Sequence, residues 1–151
     1  MSAHSTDTTS GSLDRYQQFQ AYRTKMNARI LGASASPTQS SAAEPPADHA
    51  AHAPIGATLN MKRFFRLDGA CYEDGHLPRK TKELLGLVAS MVLRCDDCIA
   101  YHIDQCIGCG VTDEEFFETF DVALIVGGSI VIPHLRRGVE FLDVARQHTS
   151  R

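Results

Sequence analysis

No stretch of this chain reaches the roughly 18 consecutive apolar residues that a bilayer-spanning helix needs, and Met1 to Asp14 lack the apolar core of a secretion signal. Membrane insertion and export are therefore not expected, and a cytoplasmic location is. A basic run, or a basic patch interleaved with aromatics, is also missing. With a net charge of −3 and a pI near 6.1, the chain has no general attraction for nucleic acid. Sustained apolar/polar alternation with hairpin chemistry is absent as well, which argues against sheets. What remains is 43% hydrophobic and 22% charged residues over 151 positions, room for one compact domain with tails.

The order of the chain gives four parts. Residues 1–12 are rich in Ser, Thr and Gly and read as a disordered tail. Residues 13–32 read as a helix with one buried face (Leu13, Tyr16, Phe19, Met26, Ile30), with Ser12 available as N-cap and Gly32 as stop. Its surplus of Arg and Lys leaves a mitochondrial targeting helix as an alternative. Residues 33–57 carry Pro37, Pro45, Pro46 and Pro54 among Ala and Ser and read as a flexible insertion, with His49 and His52 simply solvated.

Residues 59–148 read as a helical core. A short apolar helix (Met61, Phe64, Phe65, Leu67) holds Cys71 as a buried packing residue and ends at Glu73-Asp74-Gly75. Leu77 to Leu93 is a core helix, apolar nearly all round, with Pro78 near its first turn. A helix from about Cys95 to Ile107 follows. Thr112-Asp113-Glu114-Glu115 then forms a capping box that opens a helix through Val126, and Ser129 to about Gln147 is the last helix, with Pro133 in its first turn. The expected fold is all-α, about six helices.

Five cysteines, an odd number and clustered, fit catalytic or metal-binding thiols better than an extracellular disulfide framework. The centre of interest is Cys95-x-x-Cys98-x-x-x-His102. Offsets of three, four and seven put these side chains on one helical stripe, so the sulfurs can meet with the imidazole one turn beyond Cys98. A free thiol with pKa near ~8.5 is only about 3% thiolate at neutral pH, and the thiolate is the nucleophile. Bringing the pKa to about 7 takes roughly 2 kcal/mol, which a basic His102 and the open N–H groups of a helix starting near Cys95 can supply together.

Other readings compete. Cys106-x-x-Cys109 offers two more sulfurs, but the seven-residue gap after Cys98 is short and helical, whereas a zinc finger or ribbon needs a longer loop. No metal or cofactor is expected. Cys106 shares the stripe of His102 and reads as a small buried residue or an auxiliary thiol, and Cys109 as an exposed turn residue. His134 reads as a structural hydrogen-bonder and Arg94 as solvated. On spacing alone Glu83, twelve residues before Cys95, is a solvated helix residue.

Glu83, eleven residues, Cys95-x-x-Cys98-x-x-x-His102, Gly110-Val111-Thr112-Asp113-Glu114-Glu115 and Gly127-Gly128-Ser129 together resemble the AhpD-like alkylhydroperoxidase branch of the carboxymuconolactone decarboxylase family. The resemblance covers about Leu77 to Val144, with the N-terminal helix and the insertion outside it. It implies an all-α bundle assembled as a homo-trimer or homo-hexamer, with Cys98 as peroxidatic nucleophile and Cys95 as resolving thiol. Glu83 and His102 are implied as a proton relay. The implied partners are a hydroperoxide substrate and a dithiol reductant protein, thioredoxin-like or lipoyl. Asp96 and Asp97 depart from favourable electrostatics, since carboxylates beside the thiols raise their pKa. A lactone decarboxylase and a metal-binding helical module remain as alternatives.

Overall fold

The computed structural model describes residues 13–32 and 56–149. The expectations placed on residues 1–12 and 33–55, including His49 and His52, lie outside them. Six α-helices follow in order: α1 (Arg15–Leu31), α2 (Leu59–Cys71), α3 (Arg79–Val92), α4 (Asp96–Gly108), α5 (Asp113–Gly127) and α6 (Ile132–Thr149), the last preceded by a 3-10 turn, Ser129–Val131. Among the described residues there is no strand, as the missing alternation predicts.

The core lies where α3 packs on α4 and α5, and α4 on α6. Leu87 and Met91 of α3, Ile99 and Ile103 of α4, Phe116 and Phe120 of α5, and Phe141 of α6 are almost wholly buried. Within each helix these positions repeat at three or four, so one stripe per helix turns inward. Gly138 brings α6 close to α4: a Cβ there would lie 3.3 Å from Ile99 Cγ2.

The Thr112–Glu115 capping box forms as expected, with the Thr112 side chain accepting from the Glu115 amide and the Glu115 carboxylate accepting from the Thr112 amide. Pro133 sits in the first turn of α6, where its missing N–H costs nothing. The N-cap of α1 is Asp14, boxed with Gln17, rather than Ser12. Its expected buried face is only half-buried, because α1 rests on the bundle through Tyr16 and Phe19, whose rings lie 5.7 and 5.4 Å from that of Phe141. The Tyr16 hydroxyl donates to Asp104 at 2.9 Å.

The largest correction concerns α2, which has no buried residue. Phe64, Leu67 and Cys71 share a stripe that is exposed in the single chain, so Cys71 is not the packing residue the sequence predicts. An apolar pattern reports that a face seeks cover, not that its own chain provides it. The same holds where α3 and α5 end. A Cβ on Gly127 would lie 3.5 Å from Val92, and around that approach Leu93 (76% exposed), Ile125 (87%), Val126 and Ile130 form an apolar edge. Leu85 of α3 is exposed too.

The ends of α1 and α2 meet. The Ala57 amide donates to the Ile30 carbonyl at 2.6 Å, and the Cβ position of Gly56 lies 3.7 Å from Gly32 Cα. No described helix is long and apolar enough to cross a membrane.

Candidate active site

The turn from α3 into α4 sets the site. The Arg94 amide donates to the Met91 carbonyl and the Cys95 amide to the Ser90 carbonyl, both at 3.0 Å. That is the paired bonding of a Schellman motif, and it places Arg94 in the left-handed region at φ 60°. A non-glycine pays about 1–2 kcal/mol for that conformation, and glycine loses part of the gain through its freer unfolded state, about 0.4–1 kcal/mol. Arg94→Gly is therefore expected to raise the melting temperature by a few degrees in thermal unfolding followed by circular dichroism. A fall instead would show that the Arg94 side chain holds a contact of its own.

Cys95 closes α3 and also caps α4. Its backbone is extended, and its sulfur accepts the Cys98 amide at 3.3 Å, as a serine or aspartate oxygen would. Cys95 and Cys98 are disulfide-bonded, with Cα atoms 5.2 Å apart. Cys98 is exposed and Cys95 partly buried.

One turn further, His102 is 7% exposed and Glu83 is fully buried. His102 Nδ1 lies 2.9 Å from Glu83 Oε2. The expectation that Glu83 is solvated, drawn from spacing alone, fails because Glu83 faces α4 from the inner side of α3. The Arg79 guanidinium stands 3.6 Å from the other carboxylate oxygen and donates to Gln105 at 2.6 Å. Its charge helps offset a carboxylate that would otherwise be costly to bury.

Three residues that complete the His102 pocket escaped the sequence reading. A Cβ on Gly86 would fall 2.5 Å from His102 Cε1 and 2.8 Å from each ring nitrogen, so the imidazole lies directly on that glycine. A glycine inside a strongly helical run was the available signal, since it costs about 1 kcal/mol against alanine and usually has a packing reason. The rings of Tyr72 and Tyr101 lie 5.3 and 5.1 Å from that of His102. Burial first, and then the nearby Glu83 carboxylate, push both phenols above their usual pKa, so both stay protonated at neutral pH. No sequence signal linked Tyr72 to the thiols.

In front of this group is a cavity of about 450 Å³. Cys98, Tyr101 and His102 form one wall, and Cys95 is not among the lining residues. The opposite wall is α1, which presents Phe19, Tyr22, Met26 and Ile30, and α2 adds Asp68 and Tyr72. The Arg23 guanidinium stacks on the Tyr101 ring, 4.3 Å from its centre.

The electrostatic objection raised by Asp96 is answered in part. His134 Nδ1 lies 2.7 Å from Asp96 Oδ1 and Arg137 Nε 2.9 Å from Oδ2. Burial alone pushes the Asp96 carboxyl up, but the hydrogen bonds from His134 and Arg137 outweigh it and hold the pKa below the usual carboxylate range. His134 is thus the structural hydrogen-bonder expected, and with Arg137 it ties the first turn of α4 to α6. Asp97 stays exposed at the cavity. Because the folded pKa of Asp96 is depressed, its contribution is present above the unfolded value near ~3.9 and is lost as pH falls through the folded value. Asp96→Asn should lower the melting temperature at pH 7, and the difference should close as the pH is taken below about 4.

Cys106 is fully buried in the core, and burial pushes its thiol up to about 12, so it is not a nucleophile at neutral pH. Cys109, in the turn after α4, is partly exposed. Among the described residues no three His, Cys, Asp or Glu side chains converge as metal ligands.

Comparison with known proteins bears on the family and the fold. Residues 59–140, just over half of the chain, match the model of the carboxymuconolactone decarboxylase family. A Thermotoga maritima protein of known crystal structure is 47% identical, superposes with a TM-score of 0.71, and is covered over 98% of its length by 89% of this chain. A second crystal structure of that same protein, described as a carboxymuconolactone decarboxylase family protein for which a part in antioxidative response has been suggested, superposes with a TM-score of 0.69, covering 88% of this chain and 93% of that one. A family protein from Legionella pneumophila shares the fold at 21% identity, with a TM-score of 0.65 over 88% of this chain and 98% of its own. The matched segment includes the whole Glu83 to His102 interval, and the chain belongs to the carboxymuconolactone decarboxylase family.

Proposed function

We propose that the protein is a thiol-dependent peroxidase of the alkylhydroperoxidase type, with disulfide reduction as the other reaction the same thiol pair supports. The observation that carries this reading is the Cys95–Cys98 pair, with Cys98 facing a cavity beside a buried Glu83–His102 dyad. The suggested antioxidative role of the Thermotoga maritima relative supports it.

In the reduced enzyme, His102, held in place by Glu83, takes the Cys98 proton. The thiolate attacks the distal oxygen of a hydroperoxide ROOH, the O–O bond breaks, Cys98 becomes a sulfenic acid, and the alkoxide leaves as ROH with the proton from His102. The Cys95 thiol then displaces the hydroxyl as water. The balance is one ROOH and two thiols in, one ROH, one water and one disulfide out. A dithiol protein, thioredoxin-like or lipoyl, resets the pair by attacking the exposed Cys98 sulfur. Cys95 leaves as a thiolate that the Cys98 amide can stabilise at the start of α4, and a better-stabilised leaving thiolate departs faster.

The apolar edge at Leu93, Ile125, Val126 and Ile130 supports assembly as a homo-trimer or homo-hexamer, which sedimentation would distinguish from a monomer. The decarboxylase reading fits less well, because the carboxylate of a lactone acid would meet Asp68 and Asp97 in this cavity while Arg23 is engaged on Tyr101. Free thiols counted on the pre-reduced protein before and after one equivalent of cumene hydroperoxide test the proposal. Loss of two thiols is expected, and no loss would remove the peroxidase reading.

A further inference from the structure

α1 lies outside the segment matched to the family, yet it supplies half the wall of the cavity in front of Cys98. Its contribution is apolar: Phe19, Tyr22, Met26 and Ile30, one helical stripe at offsets of three and four. The charged lining is unbalanced. Asp68 and Asp97 bring two carboxylates against the single guanidinium of Arg23, which lies on the Tyr101 ring and makes no ion pair among the described residues.

We infer that α1 is the specificity element of this site. It selects hydroperoxides whose organic part is uncharged and large enough to touch it, and with Asp68 and Asp97 it turns away those that carry a carboxylate. This rests on the peroxidase reading and adds to it which hydroperoxides are used and which helix decides. Hydrogen peroxide reaches the sulfur but leaves the α1 wall untouched, so it gains nothing from burial. An aryl ring or alkyl chain against that wall is worth on the order of a hundredfold in kcat/KM. A carboxylate in the same space is desolvated beside two like charges, and the field of a concave, partly apolar site is screened less than on an open surface.

The test uses the full chain and the doubly substituted Tyr22→Ala, Met26→Ala variant. Tyr22 is 64% exposed and Met26 is not in the buried core, so these truncations leave the bundle's packing intact, which thermal unfolding checks. The first readout is the ratio of kcat/KM for cumene hydroperoxide to that for hydrogen peroxide, expected to fall about tenfold in the variant. The second compares a fatty-acid hydroperoxide with its methyl ester. The ester is expected to be the better substrate by about tenfold, and Asp68→Asn is expected to narrow that gap. The third is calorimetric binding of 2-phenyl-2-propanol, the unreactive product alcohol, to the disulfide form, expected to weaken in the variant. Unchanged ratios and unchanged alcohol binding would overturn the role of α1 while leaving peroxidase activity standing. A free acid used as well as its ester would overturn the charge selection. If no hydroperoxide oxidises the thiols, the underlying peroxidase reading fails, and the inference falls with it.

Discussion

Cys98→Ser should reduce peroxide consumption to the uncatalysed background, whereas Cys95→Ser should consume one equivalent and stop. The difference follows from position. Cys98 is the exposed sulfur on the cavity wall, one helical turn from His102, and Cys95 is tucked at the cap of α4 away from that wall. Serine keeps the size of the side chain but is not ionised at neutral pH, so the anion that attacks the O–O bond is lost. With Cys95 replaced, Cys98 still reacts once, and its sulfenic acid has no neighbouring thiol to condense with. Peroxide consumption coupled to a dithiol reductant measures the first outcome, and trapping of the sulfenic acid by dimedone measures the second. Full turnover by the Cys98→Ser protein would show that the nucleophile has been misassigned.

Gly86→Ala is expected to damage the fold and the site together. Its Cβ would stand 2.5 Å from the His102 ring, which has no direction in which to yield: Glu83 holds Nδ1, and Tyr72 and Tyr101 pack nearby. Either α3 and α4 separate or the imidazole is expelled from its contact with Glu83. Overpacking of this kind costs about 1–3 kcal/mol of stability, and on the proposed mechanism displacing His102 as general base should lower turnover on the order of 10²-fold or more. The two effects separate in a double-mutant cycle. If the clash with His102 is the cause, adding Gly86→Ala to a His102→Ala protein should cost little further stability, since the ring it strikes is gone. An equal loss in both backgrounds would place the strain elsewhere in the packing of α3 against α4.

How much of this was legible in the sequence depends on distance along the chain. Cys95, Cys98 and His102 could be grouped because helical periodicity is local and a four-residue offset fixes a shared face. The Thr112–Glu115 box was legible for the same reason. Glu83 reached the site only through the family resemblance, since its burial depends on how α3 meets α4, and no spacing rule encodes a crossing between helices. The α1 wall was invisible: Phe19 and Met26 stand more than seventy residues before Cys98, and tertiary contacts such as the packing of Tyr16 and Phe19 on Phe141 bring them near it. Cys71 was misread for the opposite reason. The apolar run around it is real, but periodicity cannot tell a face that packs within its own chain from one left open at the surface.

The meeting of α1 and α2 has a use beyond the chemistry. The chain departs at Gly32 and re-enters at Gly56 close beside it, and the Ala57–Ile30 hydrogen bond fastens the two ends. Because these two ends already lie side by side, a segment spliced between them has no wide gap to span. That junction is a natural graft point: an epitope, a fluorescent reporter or a tether spliced between residues 32 and 56 would sit beside the α1 wall and signal from next to the cavity without being part of it.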